Sequence, residues 1–128
     1  MSAKSNYLEL KVLDHFLGTA STTAPSAVYL SLHTANPDED GSGTEVSGNG
    51  YSRQAVTFAS ASGGSASSNS VEEFTASGGS FGTVTHFGIW DASSSGNLLY
   101  YGALTASKVI ADGDTLRFAS GAITITEA

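Results

Sequence analysis

Three groups of residues in this sequence could take part in catalysis or metal binding. The first is a serine motif. Residues 78–82, Gly-Gly-Ser-Phe-Gly, satisfy the G-x-S-x-G pattern of a nucleophile elbow, in which Ser80 would attack an acyl group. That pattern works on a sharp turn from a strand into a helix, whereas this segment lies between two strand-like stretches. We therefore expect a chance match and predict no catalytic residue and no enzymatic activity.

The second group is the acidic run Asn36 to Gly41, which matches the first half of a calcium-binding loop. Oxygen-bearing side chains alternate along it, and a glycine follows where such loops turn sharply. The twelfth position of the loop requires a bidentate Glu but holds Ser47, and Glu45 falls two residues short. A strand-like stretch just before the run also rules out the flanking helix. The sequence predicts a solvated acidic turn, with no metal and no cofactor.

The third group is the histidines, His15, His33 and His86, which are spread along the chain. Alternation along residues 83–90 places His86 on one face of a strand with Val84, Gly88 and Trp90. A single histidine beside an aromatic side chain more often packs or hydrogen-bonds than binds a metal. We expect that structural role for His86.

Composition excludes several classes of function. Charged residues make up 13% of the 128 residues, about half the usual share, and the surface polarity comes from 21 Ser, 13 Thr and 15 Gly. The net charge of −7 and the scattered five basic residues disfavour nucleic-acid binding. The absence of cysteine excludes thiol chemistry and disulfides. No apolar run is long enough for a signal peptide or a membrane span, so we expect no membrane partner.

The first element that could position a site is a helix predicted over about residues 6–17. Asn6 can cap it, Glu9 stands at capping-box spacing, and Gly18 follows as the terminating glycine. A broad apolar stripe is formed by Leu10, Val12, Leu13, Phe16 and Leu17. Because so short a helix is unstable alone, the stripe is expected to pack on its own domain, to cap the end of a sheet, or to contact a neighbouring subunit.

After residue 26 the apolar period changes from 3.6 to 2, as in residues 28–33, where Leu30 and Leu32 alternate with Ser31 and His33. Strands are predicted at 28–33, 53–58, 71–74, 83–90, 98–105, 107–111, 115–119 and 122–126, with Gly-rich turns between them. This pattern predicts an all-β fold in a single domain spanning residues 1–128. The expected architecture is an antiparallel β-sandwich over about residues 27–126, a jelly roll of about eight strands.

Two Gly- and Ser-rich stretches, residues 36–50 and 59–70, do not have strand patterns. Each is expected to be an exposed loop or a segment that orders against a partner. Some aromatic side chains, Tyr51, Trp90 and Tyr101 among them, could anchor an interface or stack on sugars, although most of the aromatic set is expected to pack in the core or at sheet edges.

Several longer segments resemble small virion proteins of tailed bacteriophages, a family commonly labelled phage tail fibre proteins. The segments are Leu30 to Pro37, Gly43 to Phe58, Gly82 to Asp91, Gly96 to Thr105 and Gly113 to Phe118, and the resemblance extends over nearly the whole chain. It implies a non-enzymatic virion structural protein and carries no catalytic residues. A compact β-sandwich without repeats also resembles capsid cement or decoration proteins, which commonly sit as trimers on the shell.

Our first functional hypothesis is therefore a capsid cement protein that binds the outside of the shell and stabilises it. Its expected partners are the major capsid protein or other virion proteins, with a trimeric homo-oligomer located in a virion assembled in the host bacterial cytoplasm. The alternative is a tail-fibre-type adhesion module that binds a host surface receptor or glycan. Candidate interface residues come from the helix, the acidic loop and the aromatic set: Leu10, Leu13, Leu17, Asp38, Asp40, Glu45, Tyr51 and Trp90.

Overall fold

Antiparallel strands make up 41% of the chain and helix only 9% in the computed structural model, which describes residues 2–127. In chain order the elements are β1 (Ser2–Lys4), α1 (Asn6–Phe16), β2 (Val28–His33), β3 (Gln54–Val56), β4 (Ser65–Ser67), β5 (Glu72–Thr75), β6 (Gly82–Trp90), β7 (Leu98–Ile110), β8 (Thr115–Phe118) and β9 (Thr124–Thr126). The predicted all-β sandwich with one short N-terminal helix is confirmed. The more specific jelly-roll arrangement stays a prediction.

The strands form one large sheet and two small ladders around a shared core. The large sheet has the order β1-β7-β6-β2-β3, and the ladders are β4-β9 and β5-β8. Leu30 and Leu32 of β2 are fully buried and belong to the same apolar cluster as Phe74 of β5 and Ile125 of β9. Period-two alternation produces this core, because every second side chain of a strand points to the same face.

Apart from shifts of one to two residues at strand ends, the set of strands differs from the prediction in two added strands and one merger. The structure adds β1 and β4, whose sequences Ser-Ala-Lys and Ser-Ala-Ser contain no large apolar residue to create an alternating pattern. Both are held by backbone pairing, with Ser2 opposite Gly102 and Ala66 opposite Ile125. The two strands predicted at 98–105 and 107–111 are a single strand, β7. Residues 59–70, expected to be an exposed loop or a segment that orders against a partner, thus contain β4.

A bulge in β7, opposite this part of β6, corrects the predicted face of Val84. The pairing of β6 with β7 changes register between Val84 and His86. A bulge turns the residues on its two sides relative to each other, so strict alternation fails there. Val84 therefore lies in the core with Phe87 and Ile89, whereas Trp90 lies outside this cluster.

The N-cap of the helix lies one residue earlier than the sequence indicated. Ser5, not Asn6, is the N-cap, and its hydroxyl accepts a hydrogen bond from the Leu8 amide. Ser5 is buried at the end of β1, which fixes where α1 can start. The helix ends near the predicted position, followed by Gly18 with a φ of 84°. No helix in residues 2–127 is long and apolar enough to cross a membrane.

Candidate interaction surface

The apolar stripe of α1 is exposed. Leu10, Leu13, Phe16 and Leu17 are 63%, 53%, 77% and 74% accessible to solvent, and α1 contains no buried residue. The expectation that the stripe packs on its own domain is therefore wrong. Exposed apolar side chains concentrated on one face are typical of interaction sites. We call Leu10, Leu13, Phe16 and Leu17 the helix face.

Backbone contacts at its start, rather than the stripe, hold α1 on the sandwich. The Ser5 amide donates to the Leu99 carbonyl of β7 at 2.8 Å, and the Ser5 hydroxyl donates to the Leu98 carbonyl. The Asn6 amide donates to the Glu39 carbonyl at 2.9 Å. Because these contacts satisfy orphan amides of the first turn, the helix can be anchored with its apolar stripe turned away from the core.

The acidic loop lies beside the start of α1. Asp38 and Asp40 are both exposed, and the pKa of Asp40 is lowered first by the Ser42 side chain and then by the Ser42 amide, which donates to its carboxylate. The pKa of the Tyr101 hydroxyl is raised by burial and then by the charges of Glu39, Asp38 and Glu9. Carboxylates of the loop and of α1 thus act on one side chain. The structure thus places Asp38 and Asp40 near the start of α1, whereas Leu10, Leu13 and Leu17 follow along the same helix toward its end.

Glu45 instead belongs to an internal ion pair. Both of its carboxylate oxygens accept from the Arg53 guanidinium, at 2.8 and 2.9 Å, and the Tyr51 hydroxyl donates to it at 2.6 Å. Burial alone would raise the pKa of Glu45, but the hydrogen bonds from Arg53 and Tyr51 outweigh it and leave the pKa below its usual value. The Arg53 side chain is only 7% exposed, so the pair is largely shielded from water.

A second layer of contacts lies beneath Arg53. Its guanidinium stacks 3.9 Å from the centre of the Trp90 ring, and the Trp90 indole donates to the Ser31 hydroxyl at 2.8 Å. The same hydroxyl is 2.7 Å from Nε2 of His33, which is completely buried. We call Ser31, His33, Glu45, Arg53 and Trp90 the polar cluster. It fastens the segment around residue 45 to the outer face of the large sheet.

Three of the eight candidate interface residues, Glu45, Tyr51 and Trp90, lie in or against the polar cluster. Trp90 is 9% exposed, and Tyr51 is half-buried between Phe74 and Phe81, with ring centroids 5.9 and 5.8 Å away. Neither ring offers a free face of the kind expected for a sugar-binding platform. The stretch 36–50 is likewise ordered on its own sheet, since Val46 is buried and its amide donates to the Leu32 carbonyl.

The polar cluster also predicts acid sensitivity through His33. Burial lowers the pKa of His33 below its ordinary value of 6.5, more than Glu45 and the Gly43 backbone raise it. The folded protein therefore binds fewer protons than the unfolded chain below about pH 6.5, so stability falls as the pH decreases, by at most about 1.4 kcal/mol per pH unit for this group.

We expect His33→Gln to remove that part of the pH dependence. Urea unfolding of both proteins between about pH 7 and pH 5 measures it, and the window lies above the range in which Glu45 protonates. An equal fall of stability in His33→Gln would show that His33 does not carry the effect.

The serine motif at residues 78–82 and the acidic run at residues 36–41 both lie in local structure that differs from that of the motifs they match. Ser80 lies just before β6, a strand and not a helix, and its hydroxyl accepts from the Gly82 amide at 3.0 Å. In the acidic run the Asn36 side chain accepts from the Asp38 amide at 2.9 Å. Glu45, the nearest carboxylate to the missing calcium ligand, is occupied by Arg53.

Sequence reasoning left four residues of the helix face and the polar cluster out of the candidate interface: Phe16, Ser31, His33 and Arg53. Phe16 belongs to the exposed helix face, and the helical spacing already contained that information. Arg53 is the centre of the polar cluster, yet its role depends on residues eight and 37 positions away, Glu45 and Trp90. The only sequence signal for this role was that Arg53 is an isolated arginine in a weakly charged segment.

An antiparallel β-sandwich that leaves an apolar helix face beside an acidic loop has the features of a protein-binding module. Comparison with known proteins identifies the family of the chain more specifically than the fold does. Residues 3–126 match the model of the family described as podophage GP4 fiber I protein gp80. The chain therefore belongs to this family of phage fiber proteins. No curated protein matches it.

Family membership confirms the resemblance to phage tail fibre proteins and supports a virion structural role. It does not support the capsid cement hypothesis. The tail-fibre alternative fits the match better.

Proposed function

We propose that the chain is a non-enzymatic structural module of a phage fibre, joined through the helix face to other protein chains of the virion. The single observation that carries this proposal is the exposure of Leu10, Leu13, Phe16 and Leu17 on a helix that is nevertheless firmly anchored. In this proposal the protein is built into the virion in the host cytoplasm and acts as a homo-oligomer, with a trimer as the expected state.

The energetics suit an attachment that is repeated within a larger assembly. Complete burial of a large apolar side chain contributes about 1.5–3 kcal/mol, so covering the four partly exposed side chains would contribute roughly 4–8 kcal/mol. Association itself costs at least about 4 kcal/mol. One helix face therefore supports only modest affinity. Several copies held in one particle would bind far more tightly through effective concentration.

Replacing Leu13 and Phe16 with Asp tests the proposal directly. We expect phage supplied with the Leu13→Asp/Phe16→Asp variant to incorporate at least about tenfold less of the protein, because a carboxylate buried in an apolar interface is costly. Incorporation is measured by quantitative immunoblotting of purified virions. Both side chains are more than half exposed, so the variant is expected to keep the melting temperature of the wild type.

Val71→Asp is the matched control. Val71 is another exposed apolar side chain, 47% accessible, and it precedes β5 rather than lying on α1. We expect this variant to be incorporated at the wild-type level. Normal incorporation of Leu13→Asp/Phe16→Asp would contradict the proposed role of the helix face.

Adhesion to a host surface receptor or glycan is the second candidate function within the fibre class. The observation in its favour is the partly exposed Tyr101, which lies near the carboxylates of Asp38 and Glu39. An aromatic ring beside hydrogen-bond acceptors can stack on a sugar while the acceptors bind its hydroxyls. A glycan array tests this function. Binding that is lost in Tyr101→Ala would support it, and an array without binding would count against it.

A further inference from the structure

A groove runs along β7 on the part of the strand beyond its pairing with β1. β1 pairs with Tyr100 to Gly102 of β7, and the groove begins at the next residue, Ala103. Its volume is about 490 Å³. Apolar side chains from several elements line it, including Phe87, Leu104, Leu116, Phe118 and Ile123.

The backbone opens at this place. His86 of β6 pairs with Ala103, but the next paired residue of β6, Val84, pairs with Lys108. The four residues of β7 between Ala103 and Lys108 therefore face only Thr85, and the strand bulges away from its neighbour. This bulge forms one wall of the groove.

The charged groups on the groove are both positive. Lys108 and Arg117 line it, and they are two of only five basic residues in a chain of net charge −7. Arg117 is 3.9 Å from Glu73, a long and exposed ion pair that contributes little and leaves the guanidinium accessible.

The helix face has acidic side chains beside it. On a helix of 3.6 residues per turn, Asp14 borders the helix face next to Leu10, and Glu9 lies between Leu13 and Phe16. The nearby Lys4 is already paired with Glu127. An apolar stripe with acidic side chains is complementary to an apolar groove with basic borders.

We infer that the helix face of one copy of this chain binds in the groove of a second copy. The inference rests on the proposed function and names the partner that covers the helix face. The dimensions agree, because the stripe from Leu10 to Leu17 is about 10 Å long at 1.5 Å per residue. The β7 segment from Ala103 to Lys108 spans at most about 17 Å at 3.4 Å per residue.

Pairing of two helix faces with each other fits less well. It would place the acidic side chains of the two copies together, and like charges across an interface are destabilising. Four side chains per copy also make a small interface, compared with the roughly 800 Å² per partner of a stable complex. The groove adds apolar surface and opposite charge. A contact between unlike surfaces can close into a ring, such as the expected trimer.

The experiment uses two variants of the full chain, each with one surface destroyed. The helix variant is Leu13→Asp/Phe16→Asp, and the groove variant is Ala106→Glu/Lys108→Glu, in which both groove positions are exposed. Analytical ultracentrifugation measures self-association of the wild type, of each variant and of their equimolar mixture. Val109→Asp is the matched control, since Val109 is an exposed neighbour on β7 that does not line the groove.

We expect the wild type and Val109→Asp to associate, and each surface variant to associate at least about tenfold more weakly. The mixture should recover association, because it pairs the intact helix of the groove variant with the intact groove of the helix variant. A monomeric wild type, a groove variant that associates normally, or a mixture that stays monomeric would each overturn the inference.

The two proposals fail separately. If the wild type is monomeric but the helix variant is still missing from virions, the inference is wrong and another virion protein covers the helix face. If the helix variant is incorporated normally, the proposed function is wrong whatever the state of association.

Discussion

Replacing Arg53 with Ala is expected to lower the free energy of unfolding by about 3 kcal/mol, toward the lower end of what removing one partner of a buried ion pair costs. The change leaves Glu45 without its two guanidinium bonds and removes the cation stacked on Trp90. It also frees the carbonyls of Ala92 and Ser95, which accept from Arg53 at 3.0 and 2.8 Å. Urea denaturation at neutral pH measures the loss.

Lys4→Ala provides the matched control. Lys4 and Glu127 form an ion pair with the same 2.8 Å separation, but their side chains are 29% and 44% exposed, against 7% and 25% for Arg53 and Glu45. Exposed pairs contribute about 0–1 kcal/mol, so we expect a change within that range. If Arg53→Ala cost no more than Lys4→Ala, the polar cluster would not be a principal source of stability.

Gly88→Ala is the second substitution expected to have a large effect. A Cβ at Gly88 would lie 2.7 Å from the Ser31 hydroxyl oxygen and 3.1 Å from Nε2 of His33. The added methyl therefore pushes apart the groups that join Trp90 to His33 at the base of the polar cluster. Overpacking of a buried site costs about 1–3 kcal/mol, and we expect the upper end of this range because two hydrogen bonds are also disturbed.

A double-mutant cycle separates the steric effect from a general weakening of β6. Ser31→Ala removes the oxygen that a methyl group at Gly88 would meet, at the cost of its own hydrogen bonds. We expect Ser31→Ala/Gly88→Ala to be more stable than the sum of the single losses predicts, since the two residues are in contact. Strictly additive losses would show that the Ser31 hydroxyl does not limit the space at Gly88.

Much of the fold follows from local pattern alone. β2 has the boundaries that alternation predicts, because Leu30 and Leu32 enter a dry core at every second position. β1 and β4 could not be predicted in this way. Their small residues pair through backbone groups with strands that are distant in sequence, and backbone pairing leaves no trace in side-chain pattern.

The candidate site was predictable to a smaller extent. Helical spacing identified the stripe of Leu10, Leu13 and Leu17, but it could not reveal that the stripe stays exposed, since the same pattern serves a buried or a bound helix. Trp90 is the opposite case, because a residue expected at an interface is buried. An aromatic side chain suited to an interface is covered by Arg53, 37 residues away, which only the tertiary structure brings there.

The bulge in β7 explains why the sequence does not predict the groove. Residues 98–105 and 107–111 have strand patterns that break near residue 106, and such a break suggests a turn between two strands. In the structure the chain continues as one strand and the irregular residues bulge outward. A break in alternation therefore indicates either a turn or a bulge, and the pairing of the neighbouring strand decides which.

Gold labelling of the protein on intact virions, viewed by electron microscopy, tests the central claim most directly, because the claim is that this chain is a module of a phage fibre. We predict label confined to the tail and its fibres, with none on the head. Label distributed over the surface of the head would contradict the claim and would return the chain to the capsid-binding class.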